Sequence, residues 1–135
     1  MDNRTGLFIS FQGGGDYSPV DFFLSAEGFS GSTGYAVHPE EIKPFLSQLS
    51  AFPLSDPARL IVGAELRDGP LVDIAVVRAD LRGTLEVSVT LADDRDRSRR
   101  VSASFTCVHS DAIRFVEEIK LVMLQGGEAA LSPAE

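Results

Sequence analysis

The sequence has little cysteine and no long apolar run. Cys107 is the single cysteine, so no intramolecular disulfide can form, which excludes the disulfide frameworks of small secreted proteins. No apolar stretch approaches the roughly 20 residues of a membrane-spanning helix. The start Met1-Asp2-Asn3-Arg4 lacks the charged and apolar regions of a signal peptide. We therefore expect a soluble cytoplasmic protein.

Positive charge is also scarce. The chain has 12 basic and 20 acidic side chains and a formal net charge of −8. Such a field repels phosphate groups, so we expect neither nucleic acid nor a membrane surface as a partner. The charge favours a basic protein partner, although acidity also serves solubility alone.

Length and composition indicate a globular fold. The 135 residues are 44% hydrophobic and 24% charged, as in ordinary globular proteins, and a chain of this size buries roughly two-thirds of its unfolded surface. We predict a single α+β domain over residues 1–126 and a C-terminal tail over 127–135.

The first third of the chain predicts three strands and a helix. Alternating or apolar segments at Leu7 to Phe11, Val20 to Glu27 and Gly31 to Val37 are typical of strands. A helical period then follows, carried by Ile42, Phe45, Leu46 and Leu49. Because proline is best tolerated in the first turn, we predict that the regular helix begins near Pro44, with a separate turn over Pro39 to Ile42 as the alternative.

From Arg59 to Cys107 the hydrophobic period is two residues, which predicts a four-strand meander with one apolar and one polar face. The first strand is expected to run through Leu66 into a turn at Arg67 to Pro70. An amphipathic helix follows, with Ser110 as its N-cap, Ile119 at its centre and Gly126 at its end.

Together these elements predict an α+β fold. We expect a curved antiparallel sheet of about six to seven strands, in the order β-β-β-α-β-β-β-β-α, with the C-terminal helix packed on one face.

Motifs for catalysis, cofactors or metals are weak. The run Gly13-Gly14-Gly15 lacks the helix and the lysine of a phosphate-binding loop, and the segment 28–32 departs from a nucleophile elbow at Ser32. The pairs Glu40-Glu41 and Glu117-Glu118 are typical of solvated helix surfaces. We predict no catalytic residue, no cofactor and no metal site.

One catalytic alternative stays open. Cys107 and His109 are two residues apart, so on an extended strand they would share a face and could pair a thiolate with an imidazole. Cys107 also continues the apolar set of Phe105, which favours a buried, inert thiol.

Two groups of residues are candidates for partner binding. Phe22 and Phe23 are adjacent, so on a strand they face opposite sides and one of them is available for a partner or a second protein layer; Tyr17 and Tyr35 are nearby aromatic candidates. A row of hydroxyl side chains lies on the polar face of the meander: Ser88, Thr90, Ser102, Ser104 and Thr106.

The second half of the chain resembles the WapI-type immunity proteins of bacterial contact-dependent toxin systems. The residues that carry the likeness are Leu71 to Val76, Asp80 to Val89, Ser104-Phe105 and Ser110 to Phe115. The resemblance implies a non-enzymatic inhibitor that binds a cognate toxin domain. It carries over no particular binding residue, and this chain lacks the tryptophan that such meanders often contain.

These observations predict a non-enzymatic protein-binding module of the immunity type, with a basic toxin domain as its partner. The alternatives are a homo-oligomeric structural or accessory protein, and a small ligand-binding domain or enzyme with a site near Cys107 and His109.

Overall fold

The computed structural model describes residues 5–12, 18–26, 29–51, 56–63, 70–80, 82–93, 96 and 99–132. Within these residues the chain forms two antiparallel sheets of four strands each, and two helices.

The first sheet has the strand order β3-β2-β1-β8. Its strands are β1 (Gly6–Phe11), β2 (Ser18–Ala26), β3 (Phe29–Val37) and β8 (Gly127–Leu131). The second sheet has the order β4-β5-β6-β7. Its strands are β4 (Ala58–Val62), β5 (Val72–Arg78), β6 (Thr84–Ala92) and β7 (Arg100–Val108). The helix α1 (Pro39–Ser50) links the two sheets, and α2 (His109–Gln125) lies between β7 and β8.

The predicted α+β class, the antiparallel pairing and the C-terminal helix are confirmed. The described residues form eight strands in two sheets, where about six to seven strands were expected. The first three strands do not extend the meander, because they pair among themselves and with β8 while β4 to β7 form a separate ladder. The predicted strand through Leu66 ends at Val62. Residues 64–69, which include most of the predicted turn, lie outside the described part of the chain.

The predicted C-terminal tail is wrong over residues 127–131, which form β8. This strand pairs with β1 at the opposite end of the sequence, placing Leu131 beside Leu7 and Ala129 beside Ile9. Gly126 precedes this strand and Gly127 is its first residue; their φ values are 82° and 128°, a backbone region that L side chains rarely adopt. The double glycine therefore both ends α2 and reverses the chain into the first sheet.

The helix α1 begins earlier than predicted and continues through Pro44. Pro39 occupies the first turn, and the His38 and Glu41 side chains accept backbone N–H bonds from Glu40 and His38 at 3.1 and 2.7 Å. This reciprocal cap holds the first turn in place. Pro44 costs the helix one backbone bond, but it lies on the exposed side, where water can solvate the carbonyl that loses its partner.

The helix α2 also starts earlier than expected, with its N-cap at Val108, two residues before Ser110. Ser110 is inside the helix rather than at its N-cap. The cap is supplied by Asp111, whose carboxylate accepts the Val108 N–H at 3.1 Å and binds Arg114 at 3.1 Å. The predicted end at Gly126 is confirmed.

A continuous hydrophobic core joins the inner faces of both sheets to the two helices. Phe22, Phe45 and Phe115 are among its largest fully buried side chains. The sheets approach closely at Gly31 of β3, where an added Cβ would lie 2.5 Å from a methyl carbon of Val101 on β7. A larger residue at position 31 would therefore push the two sheets apart at this corner.

Ile119→Ala should lower the free energy of unfolding by about 2–5 kcal/mol, because Ile119 is fully buried at the centre of α2 and its truncation leaves a cavity. The matched control is Leu124→Ala on the same helix. Leu124 is 77% exposed, so its truncation should change stability by no more than about 0.5 kcal/mol. Urea denaturation of the two variants measures the difference, and equal losses would contradict this placement of α2.

Candidate functional site

The five predicted hydroxyl residues come together on the outer side of the second sheet. The β6–β7 register places Ser88 opposite Ser104 and Thr90 opposite Ser102. The Thr90 and Ser102 hydroxyl oxygens are 2.8 Å apart and share a hydrogen bond. We call this surface the hydroxyl face: Ser88, Thr90, Ser102, Ser104 and Thr106. The five hydroxyl side chains share one side of the sheet because the residues that alternate with them along β6 and β7 point into the core, among them Val87, Val89 and Phe105.

The hydroxyl face has a shallow depression of about 300 Å³ lined by Ser88, Thr90, Ser102, Ser104 and the backbone between them. Towards β4, Ile61 is 39% exposed. Beside it Arg59 donates two hydrogen bonds to Asp73, at 3.1 and 2.8 Å. Hydrogen bonding to Asp73 raises the pKa of Arg59 above its ordinary value. Asp73 lies beside Thr90 in the β5–β6 ladder, so on this side the hydroxyl face is bordered by a carboxylate that is already paired with Arg59, and Ile61 lies one strand further away.

The predicted aromatic candidates do not form one surface. Phe22 is fully buried in the core, whereas Phe23 lies on the opposite side of β2, half-buried beside Phe8 with ring centroids 6.0 Å apart. Tyr35 packs against the core with part of its surface exposed, and Tyr17 lies outside the described residues. Phe22 is therefore inaccessible to a partner. Phe23 is on a different sheet from the hydroxyl face.

The alternative site at Cys107 and His109 loses its geometric basis. Strand β7 ends at Val108, so His109 starts α2 and does not continue the strand alternation. The Cys107 side chain is 1% exposed. Burial, and secondarily the Asp111 carboxylate, raise the pKa of the Cys107 thiol to about 11. A neutral, enclosed thiol is a poor nucleophile.

The acidic pairs have structural contacts. Glu40 forms an exposed ion pair with Lys43 at 2.7 Å, Glu41 caps α1, and Glu118 accepts the Ala130 N–H at 3.0 Å. The described residues contain no group of three or more His, Cys, Asp or Glu side chains that could hold a metal ion. In the same part of the chain, neither helix is long and apolar enough to cross a membrane. The Gly13-Gly14-Gly15 loop falls outside it.

A cleft between α1 and α2 was not predicted from the sequence. It has a volume of about 630 Å³. Its described lining residues are Lys43, Leu46, Ser47, Ser50, Lys120 and Met123. The tetrapeptide Glu-Glu-Ile-Lys occurs at 40–43 in α1 and again at 117–120 in α2. In both copies the isoleucine is buried and the lysine lines the cleft. The repeated tetrapeptide was the feature of the sequence that could have indicated two lysines at similar positions on the two helices.

The Cys107 thiol should resist alkylation in the folded protein. Its pKa of about 11, against an ordinary value of 9.0, lowers the thiolate fraction near pH 8 on the order of a hundredfold, and burial slows access further. The rate with iodoacetamide should rise about tenfold per pH unit up to pH 11. The control is the urea-unfolded chain, in which the rise should level off near pH 9. Rapid alkylation of the folded protein at pH 8 would contradict the buried placement.

Comparison with known proteins gave no match. No family model matches the chain, and neither a curated protein nor a solved structure matches it.

Proposed function

We propose that this chain is a non-enzymatic protein-binding module of the immunity type, acting in the cytoplasm, and that it contacts its partner through the hydroxyl face. The observation that carries the proposal is the contiguity of five small hydroxyl side chains on neighbouring strands. One exposed apolar side chain borders this surface, namely Val108, which follows Thr106 by two residues on β7 and is 37% exposed.

The hydroxyl face has physical properties that suit association. Serine and threonine each supply a donor and acceptor that rotate to fit a partner. Their short side chains lose less rotamer entropy on ordering than lysine or glutamate do. The paired strands beneath them give a fixed backbone, so little ordering is needed when the partner docks.

Charge favours a basic partner. The chain carries a net charge of −8, and Glu86 adds an exposed carboxylate next to the hydroxyl face, opposite Thr106 in the ladder. An opposite potential on the partner would raise the association rate, while affinity would come from a few well-packed contacts. The resemblance of the meander to WapI-type immunity proteins supports a toxin domain as that partner.

Self-association uses the same surface and is the competing interpretation. An enzyme or ligand-binding domain centred on Cys107 is less favoured, because the thiol is enclosed and its pKa is raised. The two interpretations predict different oligomeric states for the isolated protein. If the hydroxyl face binds a different protein, the isolated chain should be a monomer; if the face binds a second copy, the chain should be a dimer.

Ser104→Arg should weaken partner binding by about thirtyfold or more, the size of a hot-spot loss, because a long charged side chain then occupies the centre of the hydroxyl face. The matched control is Ser30→Arg, which makes the same change at an exposed position of β3 in the other sheet. The partner to test is a toxin domain sought among the products of the neighbouring genes, by co-purification and by rescue of growth.

The wild type and Ser30→Arg should bind and neutralise the toxin, and Ser104→Arg should not. The proposal fails if the wild type neither binds nor neutralises the toxin, or if Ser104→Arg binds as tightly as the control. Light scattering provides a separate check. A wild-type dimer that Ser104→Arg converts to a monomer would assign the face to self-association.

A further inference from the structure

We infer that the α1–α2 cleft is a binding site for a small anionic amphiphile, a molecule with a carboxylate or phosphate head and a hydrocarbon body. The cleft lies on the helices rather than on the second sheet, so the inference is independent of the proposed protein-binding face. The cleft combines positively charged side chains with apolar ones, and exposed apolar side chains lie beside it.

The positive charge of the cleft is the first observation. Lys43 and Lys120 are the only two lysines of the chain, and both line this cleft, one from each helix. Its described lining residues include no carboxylate. In a chain with a net charge of −8, these two ammonium groups can attract a single anionic head, whereas the overall field repels a polyanion.

Burial of two isoleucines positions the lysines. Ile42 and Ile119 are 2% and 0% exposed, and each fixes the rotation of its helix, so that the lysine following it reaches the cleft. Each lysine has a glutamate three residues earlier, at 2.7 Å for Glu40–Lys43 and 4.0 Å for Glu117–Lys120.

These ion pairs do not lock the lysines. Both lysine side chains are 57% exposed, and exposed pairs of this kind contribute little free energy. Either ammonium group can therefore exchange its glutamate for the head of a ligand at small cost.

The apolar side chains of the cleft can contact the hydrocarbon body of the ligand. Leu46 and Met123 line it, one from each helix. On α2, Leu124 lies beside Met123 and one turn after Lys120, and it is 77% exposed, while Leu121 is 52% exposed. The two leucines lie outside the cleft lining, but Leu124 is close to Lys120 on the helix surface, so a hydrocarbon chain that runs from the lysines along α2 would remove Met123 and Leu124 surface from water.

The hydroxyls and the volume fit the same class of molecule. Ser47 and Ser50 line the cleft on the α1 side. The Ser50 hydroxyl already donates to the Leu46 carbonyl at 2.9 Å, so Ser47 supplies the hydroxyl that can donate to an anionic head, which only accepts hydrogen bonds. The volume of about 630 Å³ falls within the range of roughly 300–1,000 Å³ that is usual for small-molecule sites.

Decanoate is a suitable probe, titrated below its micelle concentration by calorimetry. The wild type should bind it, and the double variant K43Q/K120Q should bind at least about tenfold more weakly, which corresponds to the loss of roughly 1.4 kcal/mol. The matched control is R78Q/R82Q, which removes the same net charge from exposed positions outside the cleft and should bind as the wild type does. Decylammonium, with the same chain and the opposite charge, should bind more weakly than decanoate.

Two further readouts locate the site. Decanoate should shift the amide signals of Ser47 and Ser50 and the methyl signal of Met123, and should leave Ser88 and Ser104 unchanged. The double variant E40Q/E117Q frees both lysines from their ion pairs and should bind decanoate several-fold more tightly.

The inference is overturned if decanoate does not bind, if K43Q/K120Q and R78Q/R82Q bind it equally, or if decylammonium binds as tightly. Because the lysines are exposed, their replacement leaves the core intact, and a thermal melt verifies this. If decanoate binding fails, the result expected for Ser104→Arg in the toxin experiment does not change, so the two proposals are tested separately.

Discussion

The structure depends on hydrogen bonds from the two helices to one edge strand of each sheet, β8 in the first sheet and β4 in the second. An edge strand presents backbone N–H and C=O groups without ladder partners. At β8 the Glu118 carboxylate of α2 accepts the Ala130 N–H at 3.0 Å, and at β4 the Gln48 amide oxygen of α1 accepts the Arg59 N–H at 3.0 Å. Each helix therefore holds one edge of one sheet. Because α1 and α2 also contact each other, the helix pair joins the two sheets.

This arrangement separates the surfaces to which we assign functions. With the inner faces of the sheets committed to the core, the hydroxyl face remains on the outer side of the second sheet. With the buried stripes of α1 and α2 turned inward, the residues between the helices form the cleft. The enclosed Cys107 belongs to neither surface. A partner protein and a small amphiphile could thus be bound without competing for the same side chains.

The sequence predicted local periodicity well and long-range pairing poorly. Strict alternation over β6 and β7 was enough to place Ser88 and Ser104 on one face, because strand geometry fixes which side chains share a side. The start of α1 was wrong because a reciprocal cap at His38 and Glu41 outweighed the cost of Pro44. Strand β8 was missed because its five residues become a strand only by pairing with β1 at the other end of the chain.

The cleft could not be predicted for a similar reason. Each lysine, taken alone, is an ordinary exposed helix residue beside a glutamate. Their convergence depends on the packing of α1 against α2, which is a tertiary contact between segments far apart in sequence. The repeated Glu-Glu-Ile-Lys tetrapeptide was visible, but its meaning required the helix pair.

Amide hydrogen exchange at Ala130 tests the role of the helix pair most directly, with wild type compared to Glu118→Ala. The account predicts that the Ala130 amide is protected in the wild type and loses its protection in the variant, while amides in the β6–β7 ladder exchange at unchanged rates. Fast exchange of Ala130 in the wild type, or unchanged protection in Glu118→Ala, would contradict the claim that α2 holds the edge of the first sheet.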